Sequence, residues 1–321
     1  MRCQRSRCFT AGRSDPEHCG VPGNRRSGVQ VVETGDRWFC KGDERFPMQS
    51  TYKAPIAVAV LHQVDQGVLA LDRTIIIRRA DLSVEWSPIN QKFAGEAMTF
   101  TVEELLRRMA GESDNTAADV LQRTLGGSEN VEQTLEGLGI KNVRVDRLER
   151  EIQVEMRGIA AKDFQTDWSK AEAFSKAVEQ LPEPSRRQAL QHYYEDRRDT
   201  ATPKGMCDFL VKLQTNRFLS EKSTQLLLQI MTESTTGQKR LKAGPPAGWS
   251  VAHKTGTSGD LLGVWPAIND VGILTTPQGE HIAIAVFITN SPASLADIEK
   301  AMAQIAAAAV KAFTERKQSN S

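Results

Sequence analysis

Ser50 and Lys53 are the pair around which chemistry in this chain can be organised. They lie three residues apart in Met48-Gln49-Ser50-Thr51-Tyr52-Lys53, a spacing that puts both side chains on one face of a helix. A serine hydroxyl is a weak nucleophile at neutral pH, but an amine beside it can take or hold the proton while the oxygen attacks a carbonyl. The run from Ala54 to Leu61 is apolar on every face, which predicts a helix buried inside a domain and so a rigid mount for the pair. One such spacing is expected by chance in a chain of this length, so it means little alone. Two further patterns follow in order: Ser113-Asp114-Asn115, about 60 residues on, and Lys254-Thr255-Gly256 near the start of a late strand. Taken singly, Ser113 and Asn115 in a turn would do no more than bond the local backbone.

Together, S-x-x-K, S-D-N and K-T-G are the signature of penicillin-recognising serine enzymes. With these motifs the sequence resembles the class A serine β-lactamases, from Phe46-Pro47-Met48-Gln49-Ser50 to the last helix, roughly five-sixths of the chain. Gln49, Trp86-Ser87-Pro88 and Thr235-Thr236-Gly237-Gln238-Lys239-Arg240-Leu241 look most like the extended-spectrum branch typified by the PER enzymes. The resemblance implies that Ser50 attacks a β-lactam carbonyl to give an acyl-enzyme. The acylation base is then either Lys53 or a glutamate acting through water. Ser113, assisted by Lys254, would relay a proton to the leaving nitrogen, and Asn115 would bond the substrate's side-chain amide. Thr255 and Gly256 would line the substrate, and the backbone N–H groups of Ser50 and Thr257 would form the oxyanion hole. Trp86, otherwise a plain core aromatic, would stand at the mouth of the site and pack on substrate. Family members hold the substrate carboxylate with an arginine from one of two places. One is occupied here by Val271, which cannot serve; the other is matched by Arg240, fourteen residues before Lys254. No metal or organic cofactor is required.

Asp146 to Gln153 is a string of charges that, read alone, is a solvated helix face. It also resembles the start of the family's omega loop, whose R-x-E-x-x-L-N pattern falls on Arg147, Glu149 and Gln153; the spacing from Arg147 selects Glu149 over Glu151. Glu149 would then activate the deacylating water, which Gln153, one methylene longer than the usual Asn, is expected to share. An Arg147–Asp199 salt bridge would close the neck of this omega-loop-like region, 146–203. Between them lies a long insertion, 154–197. Within it Trp168, Ala171, Phe174, Ala177, Val178 and Leu181 recur at helical spacing, Pro182 and Pro184 interrupt, and Ser185 to Tyr194 reads as a second helix. The expectation is an added helical hairpin covering one edge of the site.

These residues need a frame, and the pattern predicts a mixed α+β fold: one antiparallel sheet flanked by helices, from residues 28–50 and 235–321, plus an all-helical domain over 51–234. The site would lie between them. Val29 to Val32 and Trp38 to Cys40 flank the turn Thr34-Gly35-Asp36 and read as two strands, whereas Asp72 to Asp81 reads as a connection. Thr101 and Glu104 form a capping box for a helix running to Gly111, and Ser128 caps another ending near Gly137. Helices are expected over Met206–Leu213 and Glu221–Met231. A strand Trp249–His253 leads into the third motif, Val271–Thr275 and Ile282–Thr289 pair as strands, and Asp297–Phe313 is a closing helix.

The totals exclude several other classes. The 321 residues are 40% hydrophobic, enough for a sizeable core, and Lys+Arg 41 against Asp+Glu 40 gives a net charge of +1. No apolar stretch reaches the roughly 18 residues a membrane span needs, so neither nucleic acid nor membrane is indicated; the resemblance implies a monomer with a small-molecule β-lactam as its partner. Residues 1–27, rich in Arg, Gly, Ser and Pro without an apolar core, read as a disordered tail and not as a signal peptide. The resemblance nevertheless implies a periplasmic or secreted location. Cys3, Cys8 and Cys19 crowd this tail; their spacing with His18 matches no common zinc site, and five cysteines give no disulfide framework. Two alternatives remain beside β-lactam hydrolysis: a D,D-peptidase or related serine amidase, and a sensor that is acylated once. Glu149 is the residue that separates a hydrolase from an acyl trap.

Overall fold

Alternation along one strand divides the core in two. In the strand His281–Ser291 (β9), Ala283, Ala285 and Phe287 face one apolar cluster while Ile282, Ile284, Val286 and Ile288 face another, as successive side chains of a strand must. A strand covered on both faces reads as a continuous apolar run, which is why this segment has no polar stripe. The computed structural model describes residues 21–319. Cys3, Cys8, Cys19, His18 and most of the expected tail lie outside the described residues.

Five strands form the main sheet: β1 (Asn24–Val31), β2 (Arg37–Cys40), β7 (Ser250–Thr257), β8 (Trp265–Thr275) and β9. Their order is β2-β1-β9-β8-β7, antiparallel throughout, so the first and last segments of the chain share one sheet as expected. β1 begins at Asn24, inside the stretch expected to be tail, because Asn24 to Ser27 pair with Thr289 to Val286. Lys254-Thr255-Gly256 is the end of β7 itself and does not follow a strand that stops at His253. One face of the sheet is covered by α11 (Leu295–Ser319), through Ile298, Met302 and Ala306. The other face carries α9 (Pro203–Gln214), whose Met206, Phe209 and Leu210 join the larger cluster and whose first turn is capped by Thr202.

The helical part is built around α1 (Lys53–Asp65), preceded by a single tight turn, Gln49–Tyr52. Lys53 to Leu61 are all buried, which accounts for the absence of a polar face. Packed round α1 are α4 (Asn115–Thr124), α5 (Ser128–Gly137) and α10 (Glu221–Thr232). The capping box at Thr101 starts α3 (Val102–Leu106), which widens into a π-type turn, Arg107–Gly111, just before the second motif. The segment expected to be a mere connection instead holds β4 (Thr74–Arg78), paired with β5 (Ala97–Thr101). Ser128 does not cap α5: Gly127 precedes it with φ +102°, and the Ser128 hydroxyl donates to Gln122 Oε1. A short helix α2 (Pro88–Gln91) is capped by Ser87.

The insertion folds as helices but not as a hairpin. It runs from α6 (Glu149–Met156) through α7 (Ala171–Glu179) and α8 (Glu183–Glu195), with Pro184 tolerated in the first turn of α8. α8 packs on α6 and on the two-residue strand β3 (Phe46–Pro47), which pairs with β6 (Thr200–Ala201). α7 packs instead on the turn Thr166–Ser169, and its Phe174 is buried with Val84, Val154 and Ile159. Trp168, Ala177, Val178 and Leu181 pack around this small core, while Ala171 is exposed. Hydrogen exchange on the isolated protein should show protected amides between Asp167 and Leu181. Fast exchange throughout that stretch would mean that the cluster does not hold the helix without a partner.

Candidate active site

β7 passes so close to the turn carrying Ser50 that a side chain between them would collide. A Cβ on Gly256 would stand 2.6 Å from Met48 O and 3.3 Å from Ser50 N. Asn269 holds the same turn from behind, its Nδ2 donating to Pro47 O (2.9 Å) and Met48 O (2.8 Å). The backbone at Gln49 takes φ +47°, a strained conformation for a residue other than glycine. Ser50, 8% exposed, opens onto a cleft of about 270 Å³. Ser113, Asn115, Glu149 and Gln153 line it from the helical side, and Arg240, Thr255 and Thr257 from the sheet. Trp86, 55% exposed, stands on the rim with its indole N–H donating to Glu112 O (2.9 Å). Lys53 and Lys254 lie fully buried behind this lining.

The two lysines grip Ser113 from opposite ends. Lys53 Nζ donates to Ser113 O (2.8 Å) and Asn115 Oδ1 (2.6 Å) and stands 3.9 Å from Glu149 Oε2. Lys254 Nζ donates to the Ser113 hydroxyl (2.8 Å) and to Thr255 O (2.9 Å). Burial pushes the Lys53 pKa down against the pull of Glu149; burial and the charge of Lys53 push Lys254 down further. Ser113 has φ +64°, which turns its hydroxyl towards Lys254 while Asp114 caps α4. Asn115 Nδ2 donates to Val84 O (3.0 Å), so its amide is already anchored at both ends.

Arg147 pins the neck of the loop. Its Nε donates to Asp199 Oδ2 (2.6 Å) and its Nη1 to Glu155 (2.6 Å), with Asp196 at 3.4 Å. Burial works against the Arg147 charge, but these carboxylates outweigh it and raise its pKa. Asp199 also accepts from the Asp146 and Arg147 amides, and its carbonyl accepts from Met48 N (3.0 Å), tying the neck to the turn that carries Ser50. Glu149, 1% exposed, therefore sits on a braced element. Its Oε1 accepts from Gln153 Nε2 (3.0 Å), and its Oε2 has no hydrogen-bonding partner among the described residues. Beside the water that Gln153 is expected to share with Glu149, the structure shows a direct bond between the two side chains. The extra methylene brings Gln153 Nε2 into direct contact with Glu149, and the second Nε2 hydrogen goes to Gln49 Oε1 (3.2 Å).

Arg240 is no solvated arginine. It is buried, with Nε on Glu299 (3.2 Å), Nη1 on Gly256 O (3.2 Å) and Asn269 O (3.1 Å), and Nη2 on Thr257 Oγ1 (2.9 Å). Of its five N–H groups, one on Nη2 has no partner among the described residues, and Arg240 lines the cleft. Val271 lies in the core.

The family model described as the β-lactamase enzyme family matches residues 22–313. This chain belongs to that family. It is accordingly a hydrolase acting on β-lactams, with the α+β fold of the class A enzymes. It is 35% identical to the extended-spectrum β-lactamase PER-1 of Pseudomonas aeruginosa over 264 residues, 82% of this chain and 74% of that protein. It is 33% identical to β-lactamase VEB-1 of the same organism over 288 residues, 88% of this chain and 84% of that one. The crystal structure of a β-lactamase from Chitinophaga pinensis superimposes with a TM-score of 0.72 at 33% identity, covering 89% of this chain and 92% of that one.

Two residues of this β-lactamase reach the site without any signal in its motifs. Tyr193 of α8 accepts a hydrogen bond from Gln49 Nε2 (2.5 Å), and Arg157, just past α6, donates to the Gln153 side chain. Both lie in the insertion, where no spacing argument applies. Among the described residues no helix is long and apolar enough to cross a membrane.

Proposed function

We propose that this β-lactamase turns over in two steps, acylation of Ser50 followed by hydrolysis through a water activated by Glu149. The observation that carries this reading is the buried Glu149 Oε2, left without a partner 3.9 Å from Lys53 Nζ in the cleft onto which Ser50 opens. In the first step the Ser50 oxygen bonds to the lactam carbonyl carbon and the C–N bond breaks. The serine proton passes to Lys53, whose lowered pKa suits it to accept, or through water to Glu149. Lys254 donates to the Ser113 oxygen, so the Ser113 hydrogen can pass to the leaving nitrogen while Ser113 takes a proton in turn from Lys254, and the proton lost by Ser50 makes good that loss and leaves Glu149 ionised for the second step. The backbone N–H groups of Ser50 and Thr257 are the proposed oxyanion donors, each worth roughly 3 kcal/mol in comparable sites. In the second step Glu149 takes a proton from water, the water oxygen attacks the ester carbon, and the Ser50 oxygen regains its proton. Asn115 and Trp86 flank the substrate in this reading, and a periplasmic or secreted monomer belongs to it. Hydrolysis of nitrocefin by the purified protein is the direct test, and no turnover would reject the reading.

Arg240 is assigned the substrate carboxylate through its remaining N–H, a charge-assisted bond worth about 1.5–3 kcal/mol. Arg240→Ala should raise KM by about tenfold or more. Unchanged kinetics would remove Arg240 from substrate binding and leave it as the brace of Thr257.

A further inference from the structure

Arg157 is 6% exposed and bridges the two walls of the cleft. Its Nη2 meets Glu85 Oε1 (2.8 Å) on one side and Ser258 O (3.3 Å) on the other, and its guanidinium stands 5.5 Å from the centre of the Phe174 ring. Its Nη1 donates to Gln153 O (2.9 Å) and to Gln153 Oε1 (2.8 Å). A guanidinium has donors only, so the oxygen of the Gln153 amide must turn towards it and the NH2 must point away. That NH2 meets Glu149 Oε1 and Gln49 Oε1. The order passes on, because Gln49, with its oxygen engaged, presents its own NH2 to the Tyr193 hydroxyl. Every member of this chain is buried, so a reversed arrangement would set like groups against each other with little help from bulk water.

We propose that Arg157 is a positioning residue for deacylation: it fixes the direction of the Gln153 amide, so that a donor occupies Glu149 Oε1 and Oε2 is the carboxylate oxygen left to hold and deprotonate the water. This rests on the acyl-enzyme reading above. A reversed amide would set oxygen against oxygen at Glu149 and turn the carboxylate away from that geometry. The proposal takes Lys53 as the base of the first step; the bonds that hold Lys53, Ser113 and Lys254 do not involve Arg157, so that step is spared.

The test follows acyl-enzyme formation and decay by rapid quench and intact mass with benzylpenicillin, in wild type, Arg157→Met, Gln153→Leu and the double variant. Arg157→Met should slow deacylation about tenfold or more and leave acylation within about threefold. The double variant should be no slower than Gln153→Leu alone, since Arg157 acts through Gln153. Arg157→Lys, still a donor without an acceptor, should recover most of the rate. Normal deacylation in Arg157→Met, equal slowing of both steps, additive losses in the double variant, or a lysine variant as slow as the methionine one would each overturn the proposal. If Arg157→Met does not fold, the comparison of Arg157→Lys with wild type decides. A wild-type protein that forms no adduct on Ser50 would overturn the acyl-enzyme reading itself, a result distinct from any of these.

Discussion

Under excess penicillin the Glu149→Gln protein is expected to accumulate acyl-enzyme while wild type turns over. Glutamine keeps the volume of the side chain and an oxygen that can accept from Gln153, and removes the group that takes a proton from water. The Arg147–Asp199 brace and the tie from Met48 N to Asp199 O do not involve the Glu149 side chain, so the loop should stay in place. General-base assistance is typically worth 10²–10⁴ in rate, and a fall of about that size in product release is the expected magnitude. Mass spectrometry of the trapped protein beside product release separates the outcomes. If both proteins stall after one equivalent, the wild type is a penicillin-binding protein or sensor; equal turnover hands the role to another residue.

Ser50→Ala should abolish the adduct altogether and lower hydrolysis by about a millionfold, the scale of loss when a serine hydrolase is deprived of its nucleophile. The substitution removes a single oxygen from a turn already held by Asn269 and by the close passage of Gly256. A folded protein with its lysines in place is therefore expected, and the thermal midpoint should change little. Intact mass after incubation with a penicillin is the measurement. An adduct of undiminished yield on the alanine variant would mean that another group is the nucleophile.

The site was legible where local geometry dictates position. Ser50 sits in the turn that leads into the buried α1 and Lys53 begins that helix, Ser113 precedes a helix capped by Asp114, Lys254 lies within β7, and Glu149 opens α6. The Ser50–Lys53 pair was read from its spacing and the other three from the motif resemblance; each stands where a turn, a cap or a strand pairing fixes it. The β4–β5 pair escaped because the partner of Thr74-Ile75-Ile76-Ile77, Ala97–Thr101, is too short and mixed to stand out and no hairpin turn joins the two. The helices of the insertion were visible in its apolar period, but not their partners: α7 and α8 dock on different parts of the body, a tertiary choice that periodicity does not carry. Arg157 and Tyr193 were illegible for the same reason, since a buried hydrogen-bond chain depends on which side chains meet across the fold. The direct bond from Gln153 to Glu149 was not legible either, because one methylene of reach decides whether the amide arrives at the carboxylate.

The pairing of β1 with β9 also fixes an order of assembly. Asn24 finds its partner Thr289 only after the 264 intervening residues have been made, about 13–53 s at ordinary rates of synthesis. Until then β1 and β2 form a lone hairpin, too small to be stable by itself. The helices between them close mostly local contacts and can condense first, whereas the sheet must wait for contacts across nearly the whole chain. Because β7 supplies one wall of the cleft, a ribosome-bound fragment that ends before Ser250 carries the serine but not its pocket. Reactivity towards the antibiotic is thus the last property the growing chain acquires.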